Sequence, residues 1–151
     1  IHILRPFFTN TSKRLAKTPK LYFFDTGLAC HLTAWSSAET LRRGAMAGHM
    51  FETFVVSEVL KSYLNSGKDL RNVSFYRDSR KREIDLVIQE EDVLHPVEVK
   101  MAASVTRDAL KNFAALEGLA GFQVGFGAVV CQTERPYLVA ESVQAIPVRA
   151  L

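Results

Sequence analysis

Two short stretches of the sequence alternate charged and apolar residues, and the charged residues are of types that could do chemistry. Side chains alternate across a strand, so Glu83 and Asp85 share one face, as do Glu98 and Lys100 in the second stretch. Each stretch therefore predicts a strand with one apolar side and one charged side. Carboxylates beside a lysine are groups that can hold a divalent cation and offset charge on a phosphate ester.

The acidic pair at 91–92 lies between these stretches and predicts a hairpin. A two-residue turn there places Asp85 opposite Glu98 and Glu83 opposite Lys100, with facing Cβ atoms roughly 4.5–5.5 Å apart. Two carboxylates that close repel each other unless they share a proton or a cation lies between them. Magnesium commonly binds through one or two carboxylates, with waters and phosphate oxygens as its other ligands. The pair Asp85 and Glu98 therefore predicts a Mg²⁺ or Mn²⁺ site.

A third carboxylate, Glu52, lies on the clearest helix of the chain, which is predicted over 46–65. It shares a face with Val55 and Val59, and that face should pack on the sheet. Burying a carboxylate there is costly unless a partner or a metal ion meets it. His49 lies three residues earlier and could reach the same site, although a role at the start of the helix is the simpler interpretation.

Each of these residues also has an ordinary structural explanation. Glu83 and Lys100 could form a cross-strand ion pair, and Asp85 could pair with a nearby arginine. Glu52 could mark the boundary of its helix. Taken singly, each residue favours that explanation. Three inward acids and one lysine on a common surface favour a site that acts on a phosphodiester.

Four basic residues lie in and beside the turn that leads into the first of these strands: Arg77, Arg80, Lys81 and Arg82. A solvated loop is the ordinary interpretation of this basic cluster, but beside a phosphodiester site it could hold a nucleic-acid backbone. Trp35 and Tyr76 could stack on bases, or they could be packing residues. Together with the phosphodiester site, the basic cluster is compatible with a nucleic acid as the partner, and the phosphodiesterase hypothesis makes DNA the expected one.

The elements that position these residues follow from the hydrophobic periodicity. Helices are predicted at 27–34, 46–65 and 106–118, and strands at 73–77, 83–89, 93–101, 123–131, 137–139 and 143–148. The residues at 35–45 predict a loop, and Asp25 predicts an N-cap for the first helix. Pro96 cannot donate to a ladder, so its strand should lie at a sheet edge or carry a bulge. This order of elements predicts a mixed α/β fold.

Length and composition predict a single domain with a sizeable core. The 151 residues are 48% apolar and carry a net charge of +3, which permits a polyanionic partner without requiring one. Cys30 and Cys131 lack the spacing of a zinc site, so both are expected to be reduced and buried. No apolar run is long enough to cross a membrane, and the expected location is the cytoplasm.

Several sequence words together resemble a known family. They are Lys17-Thr18-Pro19-Lys20-Leu21-Tyr22-Phe23, Asp25-Thr26-Gly27-Leu28, Gly48-His49-Met50-Phe51-Glu52, Phe75-Tyr76-Arg77, Glu83-Ile84-Asp85 and Val97-Glu98-Val99-Lys100. In this order they resemble the PD-(D/E)XK nuclease superfamily, and more narrowly the C-terminal domain of uncharacterised function in many bacterial and archaeal AAA-type ATPases. The proline that commonly precedes the first aspartate of the superfamily is replaced here by Ile84.

The resemblance implies a division of roles within the site. Asp85 and Glu98 would hold Mg²⁺ or Mn²⁺, with the Val99 carbonyl as a further ligand. Glu52 would hold a second ion or a water ligand. Lys100 would orient or help deprotonate the attacking water and offset charge on the phosphoryl oxygens.

The resemblance also implies a fold and a wider context. The fold would be restriction-endonuclease-like, a mixed β-sheet core flanked by helices over 35–151, preceded by a connecting segment over 1–34. An ATPase module would precede this chain in the full-length protein. The alternative function is a nuclease-fold domain without catalysis that binds nucleic acid or protein and keeps its acids for structure.

Overall fold

The structure, a computed structural model, describes residues 1–9 and 18–151. Most of the polar stretch before the second apolar run of the chain, and the Lys17 that opens the first word of the resemblance, lie outside the described residues. The connecting segment predicted over 1–34 is therefore described at its two ends.

The described residues form nine strands, three α-helices and four short 3₁₀ helices. The strands are β1 (His2–Leu4), β2 (Lys20–Tyr22), β3 (Val73–Arg77), β4 (Glu83–Glu90), β5 (Val93–Lys100), β6 (Gln123–Val124), β7 (Gly127–Cys131), β8 (Tyr137–Ala140) and β9 (Val143–Pro147). The α-helices are α1 (Thr26–Leu32), α2 (Ala38–Arg43) and α3 (Ala47–Asn65). Short 3₁₀ helices lie at Leu70–Asn72, Arg107–Leu110, Phe113–Ala115 and Val148–Ala150.

Among the described residues, seven strands form one mixed sheet. Its order is β3-β4-β5-β7-β9-β8, with β6 also pairing with β5. The pairs β3–β4, β4–β5 and β8–β9 are antiparallel, whereas β5–β7 and β7–β9 are parallel. The predicted mixed α/β fold is confirmed, with a multi-stranded sheet flanked by helices.

Helix α3 packs on the sheet through one apolar stripe. Val55, Val56 and Leu60 are fully buried and belong to one core cluster with Phe75 and Leu86 of the sheet. The helix predicted over 46–65 and its sheet-facing stripe are therefore confirmed. Within the described residues, no helix combines the length and apolarity that crossing a bilayer requires.

A second core cluster is formed with the segment that connects β5 to β6. Ile84, Val87 and Leu94 of the sheet are fully buried there with Phe113 and Leu116. The two strands that carry the acids, β4 and β5, therefore contribute buried residues to both core clusters.

The N-terminal strands β1 and β2 form a separate two-stranded sheet that packs into the same core as α3. Leu4 is fully buried and Tyr22 is nearly so. The chain after β1 also bonds along the free edge of β3. The Phe7 N–H donates to the Phe75 carbonyl at 2.7 Å, and the Phe75 N–H donates to the Arg5 carbonyl at 3.1 Å. These contacts tie the N-terminal strands to the main sheet.

The loop predicted over 35–45 is wrong, because α2 lies within it. Its first turn is stabilised by a capping box: the Ser37 hydroxyl accepts the Thr40 N–H, and the Thr40 hydroxyl accepts the Ser37 N–H, both at 3.2 Å. Small polar residues that suggest a loop are also the residues that cap helices, so composition alone pointed the wrong way.

The α-helix predicted over 106–118 is also wrong. The segment forms 3₁₀ helices at Arg107–Leu110 and Phe113–Ala115. Between them, the Asn112 amide donates to the Glu83 carbonyl of β4 at 2.8 Å. This bond and the burial of apolar residues on the sheet hold the segment in a form that its periodicity did not predict.

Pro96 lies in an inner strand, so its predicted edge or bulge position is wrong. The neighbouring strand predicted over 123–131 is interrupted between β6 and β7, and the gap lies beside Pro96. At Pro96, β5 is therefore not paired with β6 or β7, so the N–H that proline lacks is not needed for a hydrogen bond on that side. Gly125 allows the close approach at the gap, because a Cβ there would lie 2.6 Å from His95 Cε1. The His95 ring in turn lies 2.9 Å from the Phe126 carbonyl.

Candidate functional site

The register predicted for the β4–β5 hairpin is confirmed along its length, from the turn to the pair Leu86 and Val97. The regular ladder ends there, one pair before Asp85 and Glu98. In place of a further ladder bond, Asp85 Oδ2 accepts the Val99 N–H at 2.9 Å. The Asp85 carboxylate therefore lies between the two strands where they part. A register shift between β3 and β4 occurs at the same level, and such irregularities re-aim side chains at the end of a ladder.

Glu98 is the most deeply buried acid of the site, with 8% of its side chain exposed. Its Oε1 accepts a hydrogen bond from the Lys100 ammonium at 2.7 Å. Its Oε2 is buried and has no hydrogen-bond partner among the described residues. A buried carboxylate oxygen without a donor is destabilising. A metal ion bound to this oxygen would remove that cost.

Glu52 is held in place by the N-terminal sheet and not by its own helix. The Tyr22 hydroxyl donates to Glu52 Oε1 at 2.6 Å, and the Lys20 ammonium donates to the same oxygen at 2.9 Å. Both donors lie on β2, on one face of a three-residue strand. The position of Glu52 in the site therefore depends on residues about 30 positions earlier in the chain.

Lys20, like Tyr22, is a residue of this site to which the sequence reasoning gave no role. Its ammonium lies 2.5 Å from Glu83 Oε1 and 3.8 Å from Asp85 Oδ1, in addition to its contact with Glu52. The side chain is only 18% exposed. Lys20 and Tyr22 both lie in the first word of the resemblance, but no pattern in the sequence said which surface these two side chains would meet.

Glu83 pairs differently from the prediction. It was expected to lie opposite Lys100, but the regular ladder ends before that pair. Its partners are the Lys20 ammonium and the Arg77 guanidinium, whose Nε lies 2.6 Å from Glu83 Oε2. Glu83 therefore connects the carboxylate site to the basic cluster.

Burial dominates the electrostatics of the two central acids, and repulsion from neighbouring carboxylates adds to it. Burial raises the pKa of Asp85 to about 7, with further increases from Glu98 and Glu52 that exceed the opposing effects of the Val99 N–H and Lys20. Burial also raises the pKa of Glu98, and the bonded Lys100 only partly offsets this. The pKa of each carboxyl group is therefore raised, and an added positive charge beside it would lower that pKa.

The cations and the tyrosine of the site respond to the same carboxylates. Burial lowers the pKa of Lys20, but Glu52, Glu83 and Asp85 outweigh burial and leave it raised. Burial lowers the pKa of Lys100, and the bond to Glu98 outweighs it in the same way. Burial and the Glu52 charge both raise the pKa of Tyr22, so its hydroxyl keeps its proton and remains a donor.

A cleft of about 310 Å³ opens onto these groups. Its lining includes the predicted site residues Glu52, Asp85, Val99 and Lys100, together with His49. The structure therefore brings three of the four predicted catalytic side chains to one cleft and buries the fourth, Glu98, against Lys100. His49 is exposed and lines the same cleft as Glu52 and Asp85.

The donor chemistry of this cleft fits a hard divalent cation. Within the described ranges, no three His, Cys, Asp or Glu side chains converge closely enough to enclose an ion. Magnesium does not require such an enclosure, because it commonly uses one or two carboxylates and completes its shell with water and phosphate oxygens. The unpartnered Glu98 Oε2 and the raised pKa of Asp85 both indicate a pair of carboxylates that additional positive charge would stabilise.

The basic cluster is partly engaged within the protein. Arg77 pairs with Glu83, and Arg82 Nε lies 2.7 Å from Asp78 Oδ2. The other two members are exposed. Contact between this cluster and a nucleic acid remains a prediction, and its exposed members are the ones available for it.

The remaining residues considered for the site have structural surroundings. Trp35 packs over Gly44, where a Cβ would lie 2.2 Å from the indole ring. Tyr76 is partly buried against the second core cluster. Asp25 is confirmed as the N-cap of α1, since its Oδ1 accepts the Leu28 N–H at 2.9 Å.

Comparison with known sequences places this mixed α/β domain and its cleft in a family. The chain belongs to the family described as "Domain of unknown function (DUF4143)", whose model matches residues 47–151. A second family model, "Domain of unknown function (DUF8612)", matches residues 1–39. The first match contains Glu52, Asp85, Glu98 and Lys100, and the second contains Lys20.

Two curated relatives cover almost all of the chain. They are "Uncharacterized protein Rv2008c" of Mycobacterium tuberculosis and "Uncharacterized protein Mb2031c" of Mycobacterium bovis, each 27% identical over 144 residues. The alignment covers 95% of this chain and 31% of either relative, so the chain spans about a third of their length. No solved structure matches the chain.

Proposed function

We propose that this chain is a magnesium-dependent phosphodiesterase domain with a restriction-endonuclease-like fold, acting on nucleic acid in the cytoplasm, with DNA the expected substrate. The observation that carries the proposal is the buried pair of carboxylates at the parting of β4 and β5, Asp85 with its raised pKa and Glu98 with an unpartnered oxygen. The resemblance to the PD-(D/E)XK superfamily supports it, and extends it to an ATPase module in the same full-length protein.

The proposed roles follow from the surroundings of each side chain. Asp85 and Glu98 would hold Mg²⁺ or Mn²⁺ at the cleft, with the Val99 carbonyl and Glu52 as further ligands. The ion, when bound, would supply Lewis-acid activation of the phosphodiester. Lys100 carries a raised pKa and keeps its proton, so it would stabilise negative charge on the phosphoryl oxygens and orient the attacking water.

The proposal is tested by a nuclease assay on the full-length protein. Single- and double-stranded DNA and RNA are incubated with Mg²⁺ or Mn²⁺, and Asp85→Ala serves as the inactive variant. We expect cleavage of at least one substrate by the wild type and none by Asp85→Ala. Lys100→Ala should lose cleavage by a factor of roughly 10² or more, because a charge-stabilising group is removed, while metal binding is retained.

Matched variants distinguish loss of the site from loss of the fold. Asp108→Asn changes an exposed acid outside the cleft and should cleave as the wild type does. Glu58→Gln, on the same helix as Glu52 but paired with Lys61, should also be active. Equal cleavage by the wild type and Lys100→Ala would rule out the proposed role of the lysine, and cleavage by Asp85→Ala would rule out the site.

A second candidate function is favoured by the position of Lys20. An ammonium among three carboxylates partly satisfies them without any metal ion, as a non-catalytic domain would require. The domain would then bind nucleic acid or protein and keep its acids for structure. Calorimetric titration with Mn²⁺ separates the two candidates, because the non-catalytic domain would show no binding at millimolar metal.

A further inference from the structure

The Lys20 ammonium lies at the centre of an acidic group. It contacts Glu52 at 2.9 Å and Glu83 at 2.5 Å, and it lies 3.8 Å from Asp85. It reaches these acids from β2, which belongs to a different sheet from the strands that carry Glu83 and Asp85. The ammonium therefore occupies the place that a metal ion would take if it bound to the same carboxylate oxygens.

The geometry points to Lys20 as a built-in cation that competes with a divalent ion for this carboxylate site. The inference rests on the proposed function, since it takes Asp85 and Glu52 as ligands of the ion. An ammonium and a dication that share carboxylate oxygens repel each other strongly at such distances. Binding of the ion therefore requires that the ammonium withdraw, and Lys20 sets the affinity of the site for metal.

A second observation shows that Lys20 does not complete the site. Glu98 Oε2 remains buried without a partner among the described residues, although Lys20 lies among the neighbouring carboxylates. The Lys20 ammonium contacts Glu52 and Glu83. Lys100 donates a hydrogen bond to only one of the two Glu98 oxygens. A cation nearer to Glu98 would satisfy the atom that both lysines leave unpaired.

A cavity beside the site can accept the Lys20 ammonium when a metal ion displaces it. A cavity of about 480 Å³ lies beside the site, and its lining includes Lys20, Glu52, Glu83 and Arg77. The flexible four-carbon stem of lysine allows the ammonium to move toward this cavity while β2 stays in place. Glu83 lines the cavity as well, so the displaced ammonium can keep one carboxylate partner.

The first test is calorimetric titration of MnCl₂ into the full-length wild-type protein and its Lys20→Met variant at pH 8. Methionine resembles the unbranched stem of lysine, is one heavy atom shorter, and removes the charge. We expect the variant to bind Mn²⁺ about tenfold more tightly, because the competing cation is gone. Lys61→Met is the control, because Lys61 pairs with Glu58 of its own helix. Its loss should leave the affinity for Mn²⁺ unchanged.

The second test needs no variant and so does not depend on how well Lys20→Met folds. Wild-type protein is acetylated briefly with and without Mn²⁺, and each lysine is quantified by mass spectrometry. We expect labelling of Lys20 to rise severalfold when Mn²⁺ displaces its ammonium from the carboxylates. Labelling of Lys61 should not change.

The outcomes separate this inference from the function on which it rests. Metal binding with equal affinity in wild type and Lys20→Met, or labelling of Lys20 that Mn²⁺ leaves unchanged, overturns the competition and leaves the metal site standing. Absence of Mn²⁺ binding in both proteins overturns the competition and the proposed function together. Tighter binding in the variant with increased labelling in the wild type supports the inference.

Discussion

At the scale of single residues, the bond from Tyr22 to Glu52 is the contact that fixes the third carboxylate. Tyr22→Phe removes only the donating hydroxyl, which lies 2.6 Å from Glu52 Oε1. Hydrogen bonds to charged groups contribute about 1.5–3 kcal/mol, so we expect the free energy of unfolding to fall by about that amount. Urea denaturation, monitored by circular dichroism, measures this change in the free energy of unfolding. Tyr63→Phe, partly buried on the same core cluster, is the matched control, and an equal loss there would contradict the assigned bond.

The raised pKa of Asp85 predicts a dependence of stability on pH. In metal-free buffer the folded protein releases this proton near pH 7, whereas the unfolded chain releases it near its ordinary value of 3.8. Between these values the folded state holds more protons, so its stability falls as the pH rises. The contribution is complete below about pH 4 and is lost by about pH 7, at about 1.4 kcal/mol for each pKa unit.

The variant Asp85→Asn isolates this effect. Its free energy of unfolding should fall less steeply between pH 5 and pH 8 than that of the wild type, in urea titrations with a chelator present. Asp108→Asn, which alters an exposed acid, should keep the wild-type slope. Parallel slopes for all three proteins would show that Asp85 ionises normally in the folded state.

At the scale of elements, the gap between β6 and β7 allows β5 to hold Pro96 inside the sheet. Gly125→Ala would place a Cβ 2.6 Å from both His95 Cε1 and Val93 Cγ1. The valine is stiff and the imidazole is held at the Phe126 carbonyl, so neither can yield easily. We expect a loss of about 1–3 kcal/mol in the free energy of unfolding.

A second glycine provides the control for this substitution. A Cβ at Gly48, in the first turn of α3, would meet no atom within 4 Å. Gly48→Ala should therefore hold or raise the stability, by up to about 1 kcal/mol, since alanine favours helix. Thermal unfolding of both variants and of the wild type measures these two changes in stability. A stable Gly125→Ala protein would mean that the gap is not tightly packed.

At the scale of the whole molecule, the N-terminal strands are part of the folded core. Leu4→Ala removes a fully buried side chain from the cluster that contains α3 and should cost about 2–5 kcal/mol. Ile3→Ala, one residue earlier and 54% exposed, should change the stability by less than about 1 kcal/mol. Equal effects would show that β1 does not pack as described. A separate, weakly attached N-terminal segment would give small effects at both positions.

Much of the site could be predicted because its parts are local. Alternation along β4 and β5 and the two-residue turn were sufficient to pair the strands in the correct register. The 3.6-residue period of α3 was sufficient to place Glu52 on its sheet-facing side. The end of the ladder was not predictable, because the side-chain bond from Asp85 to Val99 that replaces it depends on how two strands part in three dimensions.

The sequence by itself determined which strands carry the acids, how those strands pair, and which helix brings the third carboxylate. These features follow from short-range periodicity and turn length, which the chain encodes over a few residues. Only the tertiary structure decided that Lys20 would enter the site and that Glu83 would pair with it. Their partnership joins two sheets across 62 intervening residues, and only packing of the N-terminal strands on α3 brings such distant charges together.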